Sequence, residues 1–169
     1  MPVSEKQTPR YYWDADVFLS VINATPDRMP VLNAVLDDLG NGKIEIYTSM
    51  LSIVEVAAAR SEKDAKALDP KINEKIDSLW RPPSPIKLVD IYPLLAYQAR
   101  ELMRHAIPYG WALQAADAIH LATAQRMNVD EYHTYEDKLV KFSQITGYRI
   151  LEPRTDRLAF PHTDDEKEL

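Results

Sequence analysis

The sequence contains no cysteine, which excludes disulfides and cysteine-held zinc or iron–sulfur centres. No apolar run approaches the roughly 20 residues of a membrane-spanning helix. The opening stretch "MPVSEKQTPR" lacks the apolar core of a secretion signal. A cytoplasmic location is therefore the expectation. Internal repeats and low-complexity segments are also missing. There is no excess of basic charge: the net charge is −6, whereas phosphate binders are usually basic. The distribution softens that objection. Glu152–Leu169 carries six acids against three basic residues, so residues 1–151 sum to −3. If six of the acids there served one metal site, the remaining surface would be positive. What is present is enough apolar material for a core: 46% of 169 residues, a length that suits one domain.

Apolar segments of strand and helix type alternate along the chain. "RYYWD", "KIEIYTS", "IKLVDI", "DEYHTY" and "YRILE" read as strands. Between them lie helical stretches: "DVFLSVIN", "VLNAVLDDL" closed by Gly40, "SMLSIVEVAAA" with Ser49 as N-cap, and "EKDAKALD" and "KINEKIDSLW" separated at Pro70. "LLAYQARELMRHA", "WALQAADAIHLATAQRM" and "DKLVKFSQI", stopped by Gly147, complete the set. Strands separated by helices imply βαβ crossovers and a parallel sheet covered on both faces. The expected organisation is an N-terminal arm (1–9), one domain (10–151) and a polar acidic tail (152–169) expected to be mobile.

Ligands in open α/β sheets bind beyond the carboxyl ends of the strands. Asp14 follows the first strand, Glu55 lies in the helix after the second, and Glu136 and Asp137 follow the fourth. Asp117 sits early in the alanine-rich helix. Glu55 and Asp117 interrupt otherwise apolar or small surroundings, where an unpaired carboxylate is costly. Each acid also has a plainer reading: Asp14 facing water, Glu55 in an ion pair, Asp16 or Asp137 capping a helix. His120, on a face similar to Asp117's, reads either as a ligand or proton shuttle or, more simply, as a histidine bonded to backbone. Thr134 reads as a strand hydroxyl or as a group orienting water near the acids. Tyr11, Tyr12 and Trp13 read as core. Clustered carboxylates suit Mg²⁺ or Mn²⁺, and with such ions the chemistry implied is phosphodiester hydrolysis.

Three segments in order, "YYWDADVFLSVI", "YTSMLSIVEVAAA" and "LQAADAIHLATAQRMNVDEYHTYEDKL", resemble the PIN domain family, and within it the VapC-like toxin ribonucleases. The resemblance spans about Arg10 to Leu151. It implies a Rossmann-like α/β/α sandwich with a parallel central sheet. It implies a Mg²⁺- or Mn²⁺-dependent endoribonuclease with catalytic acids Asp14, Glu55, Asp117 and Glu136, the metal held by Asp14, Asp117 and Glu136. Asp16, Thr134, Asp137 and His120 would support them. It further implies an RNA substrate, a homodimer and an inhibitory antitoxin protein. The family usually has aspartate where this chain has Glu136, with Asp137 beside it, and Asn or Ser where it has Asp16. Two other readings remain. One is an inert PIN-like module that docks RNA or protein. The other is a haloacid-dehalogenase-like phosphatase suggested by "WDADVF", for which no later lysine or paired acidic motif is found.

Overall fold

A computed structural model describes residues 7–155. Five strands form one parallel sheet: β1 (Arg10–Trp13), β2 (Glu45–Ser49), β3 (Lys87–Val89), β4 (Glu131–His133) and β5 (Arg149–Leu151), in the order β3-β2-β1-β4-β5. β1 is central, pairing Tyr12 with Tyr47 of β2 and Trp13 with His133 of β4. After β3 the chain crosses back over the sheet, so the topological switch lies between β1 and β4. The expected three-layer parallel fold is what the chain adopts.

Alternation along β1 sends neighbouring aromatics to opposite faces. Tyr12 joins Tyr132, Leu121 and Phe142 in one core, while Trp13 joins Phe18, Leu32 and Ile46 in the other. The first core is covered by α6 (Pro93–Ala106) and α7 (Ala115–Arg126). Ala118, Ala122 and Ala124 are fully buried, and their small side chains let α7 lie close against its neighbours. The second core is covered by α1 (Ala15–Ile22), α2 (Met29–Gly40) and α5 (Pro70–Trp80). There Trp13 meets Phe18 edge-on at 5.3 Å, a geometry worth about 1 kcal/mol beyond area burial.

Several local expectations shift. The helix expected over "SMLSIVEVAAA" is only α3 (Leu51–Glu55), because the chain turns at Val56 to bury Val56 and Ala59. Ala59 then opens α4 (Arg60–Ala65), with its N–H donated to the Glu62 carboxylate. Met50, not the expected Ser49, stands at the N-cap of α3, and Ser49 Oγ accepts from the Leu51 N–H at 3.1 Å from one residue earlier. Pro70 starts α5 rather than merely interrupting a helical pair, with the Asp69 carboxylate capping that start. Gly40 is still helical, and the left-handed turn falls on Gly42. "DKLVKFSQI" forms two short pieces, α8 (Asp137–Val140) and α9 (Ser143–Thr146), separated where Phe142 turns into the core. Gly147 (φ +83°) stops α9 as expected. Among the described residues no helix is long and apolar enough to cross a membrane. The expected arm through residue 6 and the tail from residue 156 lie outside the described residues.

Candidate active site

Asp14 stands where β1 ends. Its N–H donates to the His133 carbonyl at 3.1 Å, prolonging the β1–β4 ladder. Thr134 stands at the same level beyond β4, its N–H donating to the Leu151 carbonyl at 3.0 Å. The two residues meet across the switch point, and the Thr134 hydroxyl lies 3.1 Å from Asp14 Oδ2. Thr134 Oγ1 also lies 3.1 Å from Asp16 Oδ2 and accepts from the Glu136 N–H. One hydroxyl has one proton, so it cannot serve both carboxylates. The second acid needs a proton or a cation of its own.

Asp16 does not cap α1. Asp14 is the N-cap, its Oδ1 accepting from the Ala15 N–H at 2.7 Å, because the strand ends one residue before the helix begins. Asp16 is therefore inside the first turn, and it reaches across to the loop after β4, where Oδ2 accepts from the Tyr135 N–H at 2.9 Å. Its Oδ1 is buried without a partner among the described residues. Burial, reinforced by the neighbouring Asp14 charge, outweighs these hydrogen bonds and pushes Asp16 up to about 7. Burial likewise raises Asp14, against the opposing pull of His120, Ala15 N–H and Thr134.

Asp117 lies in the first turn of α7, and burial raises its pKa, with Lys138 opposing and Glu136 adding repulsion. The Lys138 ammonium sits between Asp117 Oδ2 (3.4 Å) and Glu136 Oε2 (2.9 Å). Its partner-facing geometry was not expected from the sequence; "YEDKL" offers a lysine beside two acids as the only signal. Glu136 occupies the N-cap position of α8 with no capping hydrogen bond from its side chain. Asp137 is exposed in the first turn of α8 and also makes no cap bond, so the expected capping role is absent and only its place at the positive helix end remains.

Glu55, half-buried at the end of α3, is held by His120 rather than by Arg or Lys. His120 Nε2 donates to Glu55 Oε2 at 2.5 Å. His120 is buried and its Nδ1 shares a 2.6 Å hydrogen bond with the Tyr12 hydroxyl, which itself accepts from the Ser49 N–H. The expected backbone-bonded histidine is thus a side-chain bridge, and Tyr12 is more than core. Burial opposes a charge on His120, but Glu55, Asp14 and Asp117 outweigh it and raise its pKa. His120 Nε2 is 3.8 Å from Asp14 Oδ1, which ties Glu55 to the rest of the cluster.

Among the described residues, no three acids or imidazoles already stand in a ready-made ligating array. The donor chemistry nevertheless fits a hard divalent cation. Asp14, Asp16, Asp117 and Glu136 offer carboxylate oxygens, Asp16 Oδ1 is orphaned among the described residues, one hydroxyl proton is contested, and an ammonium already bridges Asp117 and Glu136.

Comparison with known families matches residues 11–144 to the PIN domain. Among solved structures, the chain resembles VapBC2 from Rickettsia felis bound to a DNA fragment from their promoter, with TM-score 0.61 and 18% identity over 86% of this chain and 99% of that one. It resembles FitAcB from Neisseria gonorrhoeae (TM-score 0.60, 17% identity, 85% and 97% covered). It also resembles FitAB bound to the IR36 DNA fragment (TM-score 0.60, 18% identity, 90% and 99% covered). No curated protein matches.

Proposed function

The chain belongs to the PIN domain family, and from that premise we propose that it is a Mg²⁺- or Mn²⁺-dependent endoribonuclease. The observation that carries the reading is the frustrated carboxylate group at the β1–β4 switch: buried Asp14, orphaned Asp16 Oδ1, and Asp117 and Glu136 sharing one ammonium. Asp14, Asp117 and Glu136 would hold the cation, with Asp16 beside them. A divalent cation there supplies positive charge against phosphate oxygens and eases deprotonation of the attacking water. The protein's own groups do the rest. Thr134 fixes Asp14 and Asp16 relative to one another. The Tyr12–His120 bridge holds the Glu55 carboxylate at the same edge, where it is placed to accept a proton. Lys138, with a side chain 60% exposed, can leave its acids for a substrate phosphate.

The toxin role rests on the resemblance of the three acid-bearing segments to VapC-like toxin ribonucleases, and the solved structures of similar fold, VapBC2 and FitAB, are each bound to DNA. On that reading the chain pairs with a second copy, and an antitoxin covers the acids, an arginine being a suitable plug. Expression should arrest growth, and a neighbouring gene product should relieve it.

The test is cleavage of total RNA by the purified chain with Mn²⁺ or Mg²⁺, stopped by a chelator. A competing reading is the inert docking module, favoured by the Lys138 ammonium already neutralising two acids. RNA binding without cleavage in either metal would select it. Turnover of phosphate monoesters but not RNA would overturn both.

A further inference from the structure

The short segment between α6 and α7 carries aromatic surface that the fold does not bury. Tyr109 is 52% exposed, and His105, in the last turn of α6, is exposed beside Arg104. The rings are nearly parallel. Tyr109 and Trp111 stack with centroids 4.5 Å apart at 22°, and His105 and Tyr109 lie 6.4 Å apart at 19°. The backbone builds this arrangement. After a single 3-10 turn, Gly110 adopts φ +69°, a conformation that disfavours side chains, and reverses the chain. Its N–H donates to the Ile107 carbonyl, and the Trp111 N–H donates to the Ala106 carbonyl at 3.2 Å. Trp111 is thereby folded back against Tyr109. It rests edge-on against Phe142 at 5.5 Å, and Phe142 is fully buried, so the stack is anchored in the core.

Two basic side chains adjoin it: Lys141 Nζ lies over the Trp111 ring, 5.6 Å from its centre, and Arg104 precedes His105 in the last turn of α6. Along the chain the stack is close to the acids on both sides. Trp111 leads into α7, which carries Asp117, and Lys141 ends α8, which Glu136 opens.

We infer that the His105–Tyr109–Trp111 stack, with Lys141, is a platform on which a base of single-stranded RNA stacks as the strand approaches the acids. The identity of the nucleic acid rests on the nuclease reading above. The exposed Tyr109 and His105 rings, backed by the half-buried Trp111 and flanked by Lys141 and Arg104, suit an unpaired base and its phosphate, since every base has a π-face and each phosphate a charge. A duplex, whose bases are already stacked on each other, gains nothing from it.

The test uses the full chain carrying Asp117→Asn, in chelator, and a labelled single-stranded RNA of about ten nucleotides at fixed salt. Tyr109→Ala should weaken binding about tenfold or more, and Tyr109→Phe should stay within about twofold of the parent, because a phenyl ring stacks as well. An abasic strand of equal length should bind both alike. Lys141→Gln should weaken binding and flatten its salt dependence. The platform is overturned if the folded Tyr109→Ala protein binds as the parent does, or if the parent binds no single strand. It is also overturned if Tyr109→Ala only converts a dimer to monomer, which would make the stack an interface between copies. Cleavage by the chain with native Asp117 is read separately. Tyr109-dependent binding without cleavage in Mn²⁺ sinks the nuclease reading alone, and cleavage with Tyr109-independent binding sinks the platform alone.

Discussion

β4 has a carboxylate at one end and a carboxylate group at the other, and the two are opposites in kind. At its amino end, Glu131 is fully satisfied. Oε1 pairs with Arg154 at 2.6 Å, and Oε2 accepts from His133 Nε2 at 2.9 Å. Trp13 Nε1–H donates to His133 Nδ1, so the proton of this imidazole is on Nε2, facing Glu131. Burial opposes the Glu131 charge, but His133 and Arg154 outweigh it and hold the carboxyl down at about 2. At the carboxyl end, Asp16 is pushed up to about 7, and its Oδ1 has no partner among the described residues. The same strand therefore presents one acid whose charge is welcomed and a group of acids whose charges are resisted. A fold able to satisfy Glu131 this completely is not short of ways to satisfy a carboxylate. The unsatisfied end is the one where a cation from outside would complete the structure, and it lies at the switch point where open α/β sheets bind ligands.

The largest effect should come from Asp117→Asn. Metal-dependent RNA cleavage is expected to fall about 10³-fold, roughly 4 kcal/mol of transition-state stabilisation. Metal-free stability should stay within about 1 kcal/mol of the parent or rise. A repelling charge is lost, and only an exposed lysine pair is given up, which is worth little. Kinetic assays and urea melts in chelator read both halves. A variant that fails to fold would make Asp117 a structural ion-pair partner and erase the contrast between the two ends.

Glu131→Gln should do the reverse: leave cleavage nearly intact and lower stability by about 2 kcal/mol. Water screening limits the loss, because Arg154 and Arg149 are themselves half exposed or more. The sign with pH follows from the depressed folded value. Glu131's contribution is complete above the unfolded pKa of about 4.3 and disappears as pH falls toward about 2. Urea melts at neutral pH and near pH 2.5 should show the gap between parent and variant closing. A gap that does not change with pH would mean Glu131 acts through packing rather than charge.

Next in size is the fourth acid. Glu136 is half-buried and salt-bridged to Lys138, whereas Asp137 points into solvent. Glu136→Gln should lower cleavage about tenfold, or 1.4 kcal/mol, and Asp137→Asn should retain most of it. The opposite result would place the working carboxylate one residue later in this turn.

The sequence made the two ends unequally legible. Asp14, Glu55, Asp117 and Glu136 stand out because each interrupts apolar or junction surroundings, and the alternation of strands and helices says which edge they reach. Glu131 gives no such signal: in "DEYHTY" it reads as an ordinary strand residue, and its partner Arg154 lies in a segment that reads as tail. Asp16 was legible as a residue but not in its role. Two aspartates flank Ala15, either could cap α1, and only the position of the last β1–β4 ladder bond decides for Asp14. The aromatic stack was hidden because His105 and Trp111 read as parts of two successive helices, and stacking depends on the Gly110 reversal between them rather than on any period in the sequence.

The smallest effect, and the sharpest contrast with Glu131, concerns Asp16. Its folded pKa of about 7 lies above the unfolded value near 3.8, so the folded chain binds the extra proton. The metal-free protein should therefore lose stability through this residue as pH rises from about 4 to 7, the reverse of Glu131. Asp16→Asn keeps an oxygen for the Tyr135 N–H and removes the charge. The variant should be more stable than the parent by about 1 kcal/mol at pH 7.5 in chelator, since water screens a half-buried group, and no different near pH 4. Saturating Mn²⁺ should narrow the difference at pH 7.5, because an ion that binds only the folded chain stabilises the parent's carboxylates more than an amide. Melts at the two pH values, with and without Mn²⁺, read all of this. A parent more stable than Asp16→Asn at pH 7.5 without metal would show that the Tyr135 and Thr134 hydrogen bonds outweigh the repulsion, and that the carboxyl end of β4 is satisfied after all.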